Sequence, residues 1–165
     1  MQKNNTKAGY LTSAGIIAAL YVVLTMISTM MGLSSGAIQV RLSEALCVLP
    51  CFTPAAVPGL FIGCLISNLL SGCVIWDVFF GSLATLVGAL GTRFLRKKRI
   101  FATASPIIVN AAVIPAVLIY AYGVENGYLM ILLTVTAGEL ISCGLLGSVV
   151  YNSVNKALFA SKKRK

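Results

Sequence analysis

Four of the 165 residues are acidic, and three of them, Glu44, Asp77 and Glu139, fall in or beside long apolar stretches. An ionisable group in such a stretch is costly to place in a membrane, so each is a candidate for function. Arg41 precedes Glu44 by three residues, and on a helix the two share a face and can pair. Asn68, Trp76, Tyr120 and Tyr122 are the polar and aromatic groups near them. A carboxylate accepts two hydrogen bonds from an N–H/NH2 edge, an amide reads donor and acceptor together, and a ring stacks on a flat heterocycle. That set suits capture of a flat, nitrogen-rich ligand, neutral or cationic. A buried polar site also rejects analogues that leave its groups unpaired.

Catalysis is not expected. The chain has no histidine, hence no HExxH and no Ser/His/Asp set, and no GxxxxGK[ST] loop to cradle a nucleotide. Cys47, Cys51, Cys64, Cys73 and Cys143 lie in apolar sequence without a CxxC. They read as small buried hydrophobes rather than zinc ligands, and no metal or cofactor is expected.

The elements that must position these groups follow from composition. Of the residues, 58% are hydrophobic and 10% charged, against about 25% charged in soluble domains. This excludes a water-soluble globule and a disordered chain, and leaves one integral membrane domain over residues 1–165. The net charge of +9 is clustered: Lys3 and Lys7, then Arg93, Arg96, Lys97, Lys98 and Arg99, then Lys156 with Lys162, Lys163, Arg164 and Lys165. Basic clusters flanking apolar runs follow the positive-inside rule and meet anionic headgroups. No aromatic residues interleave with them as a stacking platform, so nucleic acid is not an expected partner. The apolar run after Lys7 is too long for a signal peptide and reads as the first membrane helix.

Spans are expected at 8–31, 54–71, 76–95, 102–122 and 128–150, with Thr53 as N-cap and Pro54 as first residue of the third helix. The basic loop 93–99 and the tail 156–165 should share the side of the N-terminus. Residues 8–93 must then cross an even number of times, which makes 42–51 a short second helix of about 15 Å. The expected architecture is an all-α bundle of six transmembrane helices, N-in and C-in, in the plasma membrane.

By depth, Arg41 and Glu44 open helix 2 from outside, Asn68 ends helix 3, Trp76 and Asp77 open helix 4, and Tyr120 and Tyr122 end helix 5. Glu139 sits about 17 Å into helix 6. All converge on the outer half of the bundle, whereas Asn110 is expected deeper, toward the cytoplasm. Plainer roles stand beside these. Arg41–Glu44 can be a structural pair, Asp77 a helix cap, the aromatics an interfacial belt. Helix 1 carries two small-xxx-small pairs, Ala14/Ala18 and Gly15/Ala19, which suit close helix approach either within the bundle or with a partner.

The runs RLSEAL at 41–46, FTPAA..PGLFIGC..SNLLSG at 52–72 and WD..FGSLATL at 76–86 carry a family likeness, continued by VNAAVI at 109–114, GEL at 138–140 and AALYVVLT at 18–25. With them the chain resembles the QueT-type queuosine precursor transporters, substrate-binding (S) components of energy-coupling factor importers. The resemblance implies the six-helix S-component fold and a 7-deazaguanine base or queuine as substrate. It implies two ATPase subunits and a transmembrane coupling subunit as partners, the latter meeting the small-residue stripe of helix 1. Two other classes stay open: a stand-alone proton- or ion-coupled carrier, and a structural membrane protein without ligand.

Overall fold

The structure, a computed structural model, describes residues 7–33, 39–123 and 127–163. The polar loop at 34–38, Glu125, Lys3, Arg164, Lys165 and the side chains of Tyr122, Lys162 and Lys163 lie outside the described residues. Among the described residues the regular structure is all helical. Helix α1 is Lys7–Met30, followed by a 3-10 helix at Leu42–Cys51, then α2 at Ala56–Leu70, α3 at Ile75–Phe94 and α4 at Arg99–Tyr122. The last helix is continuous in three parts: α5 at Tyr128–Glu139, a π-helical stretch at Leu140–Leu146, and α6 at Gly147–Lys163. Among the described residues four helices are long and apolar enough to cross a membrane, Lys7–Met30, Ile75–Phe94, Arg99–Ala121 and Tyr128–Ala160, while Leu42–Cys51 and Ala56–Leu70 are shorter apolar helices.

Several expected boundaries are corrected. The short second helix is of 3-10 type, so at about 2.0 Å rise per residue it reaches about 20 Å rather than 15 Å. The third begins at Ala56, not at Pro54. Thr53 Oγ1 accepts from the Ala55 N–H at 3.3 Å, which closes a tight turn before the helix instead of capping it. Helix α4 starts inside the basic cluster, at Arg99, and α6 carries the last helix past 150 to Lys163, taking Lys156 into it. Helix α1 ends as its glycine requires: Gly32 is left-handed at φ +71° and the Leu33 N–H reaches the Ser28 carbonyl at 2.9 Å.

Small residues set two close crossings. Helices α1 and α2 meet along Ala14 and Ala18 on one side and Gly59 and Gly63 on the other. A Cβ on Gly59 would stand 2.7 Å from the Ala14 carbonyl, and one on Gly63 would stand 3.0 Å from that of Ala18. Without a hydrophobic drive between helices in lipid, such backbone approach is a main source of packing energy. Helices α3 and α4 meet where Gly88 faces Pro106 and Gly91 faces Ser105. Pro106 cannot donate to the carbonyl of Ala102, one turn back. Thr92 Oγ1 lies 3.0 Å from that carbonyl and can donate to it across the helix pair, which is how membrane helices tolerate proline.

The 3-10 helix runs through the middle of the packing. Ile17 and Tyr21 of α1, Leu46 and Cys47 of the 3-10 helix, Ala56, Leu60 and Cys64 of α2, Ala89 of α3 and Cys143 of the π stretch form one buried cluster. Its entry is fixed from both sides. The Leu42 N–H donates to Ser28 Oγ at 2.9 Å and Thr25 Oγ1 to Ser43 Oγ at 2.8 Å. On the other side the Arg41 N–H donates to Ser142 Oγ at 3.2 Å and Cys143 Sγ to the Glu44 carbonyl at 3.2 Å.

Candidate functional site

Three helices each send a pair of residues one turn apart toward a common point: Gly81 and Thr85 from α3, Ile114 and Asn110 from α4, Val135 and Glu139 from α5. Residues spaced by four lie on one face of a helix, so each helix brings one polar group and one small or apolar neighbour. Gln39, Arg41 and Glu44, at the entry to the 3-10 helix, close the fourth side. The space they leave is partly open and about 30 Å3, room for ordered water and little more.

Glu139 and Glu44 differ in what they leave free. Both oxygens of Glu44 are engaged: Tyr21 donates its phenol to Oε1 and Cys47 Sγ stands 3.0 Å from Oε2. Glu139 accepts from Asn110 Nδ2 on Oε1 at 2.9 Å, and its Oε2 is buried without a hydrogen-bond partner. A buried acceptor left unmade carries a desolvation cost of about 1–3 kcal/mol.

The expected Arg41–Glu44 helical pair is corrected. Arg41 is extended, at φ −107° and ψ 111°, and precedes the helix, so the helical spacing does not apply to it. Arg41 and Glu44 nevertheless line the same cavity. Asp77 and Asn68 stand behind the cavity wall. Asn68 Nδ2 reaches the Asp77 carbonyl at 3.4 Å, and a Cβ on Gly81 would meet Asn68 Nδ2 and Asp77 Oδ1, both at 3.2 Å. The cavity is thus one small side chain away from this pair.

Trp76 and Tyr120 are not brought to the cavity. They are 57% and 90% exposed and line a separate apolar groove of about 470 Å3 between the start of α3 and the end of α4. There the Trp76 ring stacks on Phe80 with centroids 6.1 Å apart. The expected partner stripe on helix 1 divides: Ala14 and Ala18 are buried against α2, so they serve internal packing, while Gly15 and Ala19 are exposed and nothing stands within 4 Å of a Cβ on Gly15.

Gln39, Thr85 and Asn110 are cavity residues the sequence reading did not select. For Asn110 the signal existed. It lies twelve residues before the end of α4 and Glu139 eleven after the start of α5. Counted from the connection these helices share, the two are about 18 Å and 17 Å deep, at one level. Gln39 and Thr85 carried no comparable mark. Glu44, Cys47 and Cys143 bring an oxygen and two sulfurs within 4.8 Å of one another. That is a possible three-donor set in geometry only, since Glu44 Oε2 already takes Cys47 and the sulfur of Cys143 serves the Glu44 carbonyl.

The sequence matches known proteins in two comparisons. Over 77 residues it is 43% identical to "Queuosine precursor transporter QueT" of Lactococcus lactis subsp. cremoris, a match that covers 47% of this chain and 45% of that relative's length. No solved structure matches it. The model of the family described as QueT transporter matches residues 11–156. With nearly all of its helices inside that match, the chain belongs to the QueT transporter family, as a multi-pass membrane protein.

Proposed function

We propose that this chain is the substrate-capture subunit of an energy-coupling factor importer for a queuosine precursor, a 7-deazaguanine base or queuine. The observation that carries the reading is Glu139 Oε2, a buried acceptor without a partner at the edge of a cavity shared with Arg41 and Asn110. The name of the Lactococcus relative supplies the substrate class. Glu139 accepts from the N–H/NH2 edge of the guanine-like ring. Asn110 holds the carboxylate in place and offers its amide beside it. Arg41 donates to the ring carbonyl. Glu44, tied to Tyr21 and Cys47, fixes the floor, and Asp77 with Asn68 orients Arg41 and takes the aminomethyl ammonium of a ligand that carries one. A cavity of about 30 Å3 does not hold a bicyclic base, so binding is coupled to widening of this space.

The partners follow from the same reading. Two ATPase subunits supply energy, and a transmembrane coupling subunit docks on the exposed Gly15/Ala19 phase of α1. One domain in the plasma membrane, with N- and C-termini and the basic 93–99 segment cytoplasmic, is the topology that goes with it.

The test is equilibrium binding of 7-deazaguanine precursors, queuine and guanine to the purified chain and its Glu139→Gln variant. Tight binding of one deazaguanine, weakened about 5- to 150-fold by the variant, is expected for the loss of a buried acceptor. Unchanged affinity sinks the assignment of Glu139. The same carboxylate favours one competing reading, a proton-coupled carrier. That reading requires pH-driven uptake into vesicles holding this chain alone; uptake only with ATPases present rejects it.

A further inference from the structure

We propose that the groove between the start of α4 and the π stretch of the last helix is a binding site for an anionic glycerophospholipid. The groove is large, about 960 Å3, at the upper end of ordinary ligand pockets. Its mouth is cationic and its length is apolar: Lys98 and Arg99 stand at one end, and Ile100, Ile107, Leu140 and Gly144 run away from them.

The cations at the mouth are held but not neutralised. Arg99 Nη1 donates to Asn152 Oδ1 at 3.1 Å, and its guanidinium lies 4.5 Å from the centre of the Tyr151 ring. Lys98 Nζ is 5.6 Å from the Phe101 ring centre. All these partners are uncharged, and among the described residues no carboxylate lines the groove. Three of the four acids of the chain are gathered around the cavity instead. A phosphodiester supplies the missing charge, and its acyl chains cover Ile100, which is 81% exposed, and Leu140 at 53%. Fixed cations beside an apolar slot between membrane helices are the arrangement that recognises anionic headgroups.

The π stretch also explains why the slot exists. Its Ser142 and Cys143 face inward and hold the chain at Arg41 and Glu44, while Leu140 and Gly144 face the groove. At Gly144 nothing stands within 4 Å of an added Cβ, so the slot is open there.

Native mass spectrometry of the detergent-purified chain, titrated with dioleoylphosphatidylglycerol or dioleoylphosphatidylcholine, tests this, because the two lipids differ only in headgroup. Retention of the glycerol lipid over the choline lipid is expected. Lys98→Gln should weaken it about fivefold, the effect of one cation near a headgroup, and Lys97→Gln, one residue outside the groove, should not. Gly144→Leu, which fills the slot, should abolish it; Ala104→Leu fills the slot from the opposite wall if the first variant does not fold. Equal retention of both lipids, equal loss in the Lys97 and Lys98 variants, or displacement by inorganic phosphate overturns the proposal. So does a lipid-free dimer or mixed complex that Gly144→Leu dissociates, which gives the groove to a protein helix.

Discussion

The cavity at Glu139 and the groove at Lys98 lie against neighbouring faces of the same last helix, and they treat charge in opposite ways. Around the cavity every acid is confined by specific contacts: Tyr21 and Cys47 on Glu44, Asn110 on Glu139, and Gly81 leaving room for Asp77. At the groove the cations lie against rings and an amide and stay open to a further partner. Enclosure makes an unmade hydrogen bond expensive and therefore selective. Openness makes charge additive and tolerant. On the readings proposed above, the first region recognises one ligand and the second holds a class of them.

Variants can break this contrast, and the largest effect is expected at Gly138. A Cβ there would collide with the Gln39 carbonyl, so Gly138→Leu displaces the segment that closes the cavity. Overpacking costs about 1–3 kcal/mol, and ligand affinity should fall up to about 100-fold while far-UV circular dichroism keeps its helical signal. Preserved affinity would show that the segment 39–41 is not part of the site. Next comes the pair of phases on α1. Gly63→Leu faces Tyr21 and the Ala18 carbonyl and should lower the melting temperature through an overpacking penalty of about 1–3 kcal/mol. Gly15→Leu should leave the melt alone and reduce co-purification with a coupling subunit. A destabilised Gly15→Leu would place that face inside the fold.

Smaller effects sharpen the cavity itself. In a double-mutant cycle, Asn110→Ala and Glu139→Gln should be non-additive in ligand affinity by about 0.5–3 kcal/mol, as for residues in direct contact. Additive losses would mean that the 2.9 Å bond does not organise the carboxylate. Thr92→Val removes the hydroxyl that serves the carbonyl freed by Pro106 and should cost about 0.6 kcal/mol, near the mean for interhelical hydrogen bonds in membranes, read as a small shift in the melt. Trp76→Leu should change ligand affinity least of all, because the ring lies in the separate apolar groove of α3 and α4. A tenfold loss there would bring Trp76 back to the ligand.

Much of this was legible in the residues, for identifiable reasons. Apolar runs bounded by glycine and basic clusters determined the long helices, because the bilayer demands length and internal hydrogen bonding whatever the packing. The cost of burying acids singled out Glu44, Asp77 and Glu139; the first and last line the cavity, and Asp77 stands behind its wall. The resemblance at 41–86 pointed to the family that the match over 11–156 identifies. What the sequence left open were matters of direction. Ala14/Ala18 and Gly15/Ala19 are equivalent as patterns, and only the seating of Gly59 and Gly63 against the first pair distinguishes them. Arg41 and Glu44 are three residues apart on paper, but extended backbone at Arg41 takes it out of the helical register that would pair them. Trp76 adjoins Asp77 in sequence, yet successive helical residues point about 100° apart, so one faces the groove and the other the interior. Composition and periodicity determine which segments are helices and which groups are costly to bury. Which of those groups meet is decided by helix rotation and close backbone approach, and these depend on contacts between residues distant in the chain.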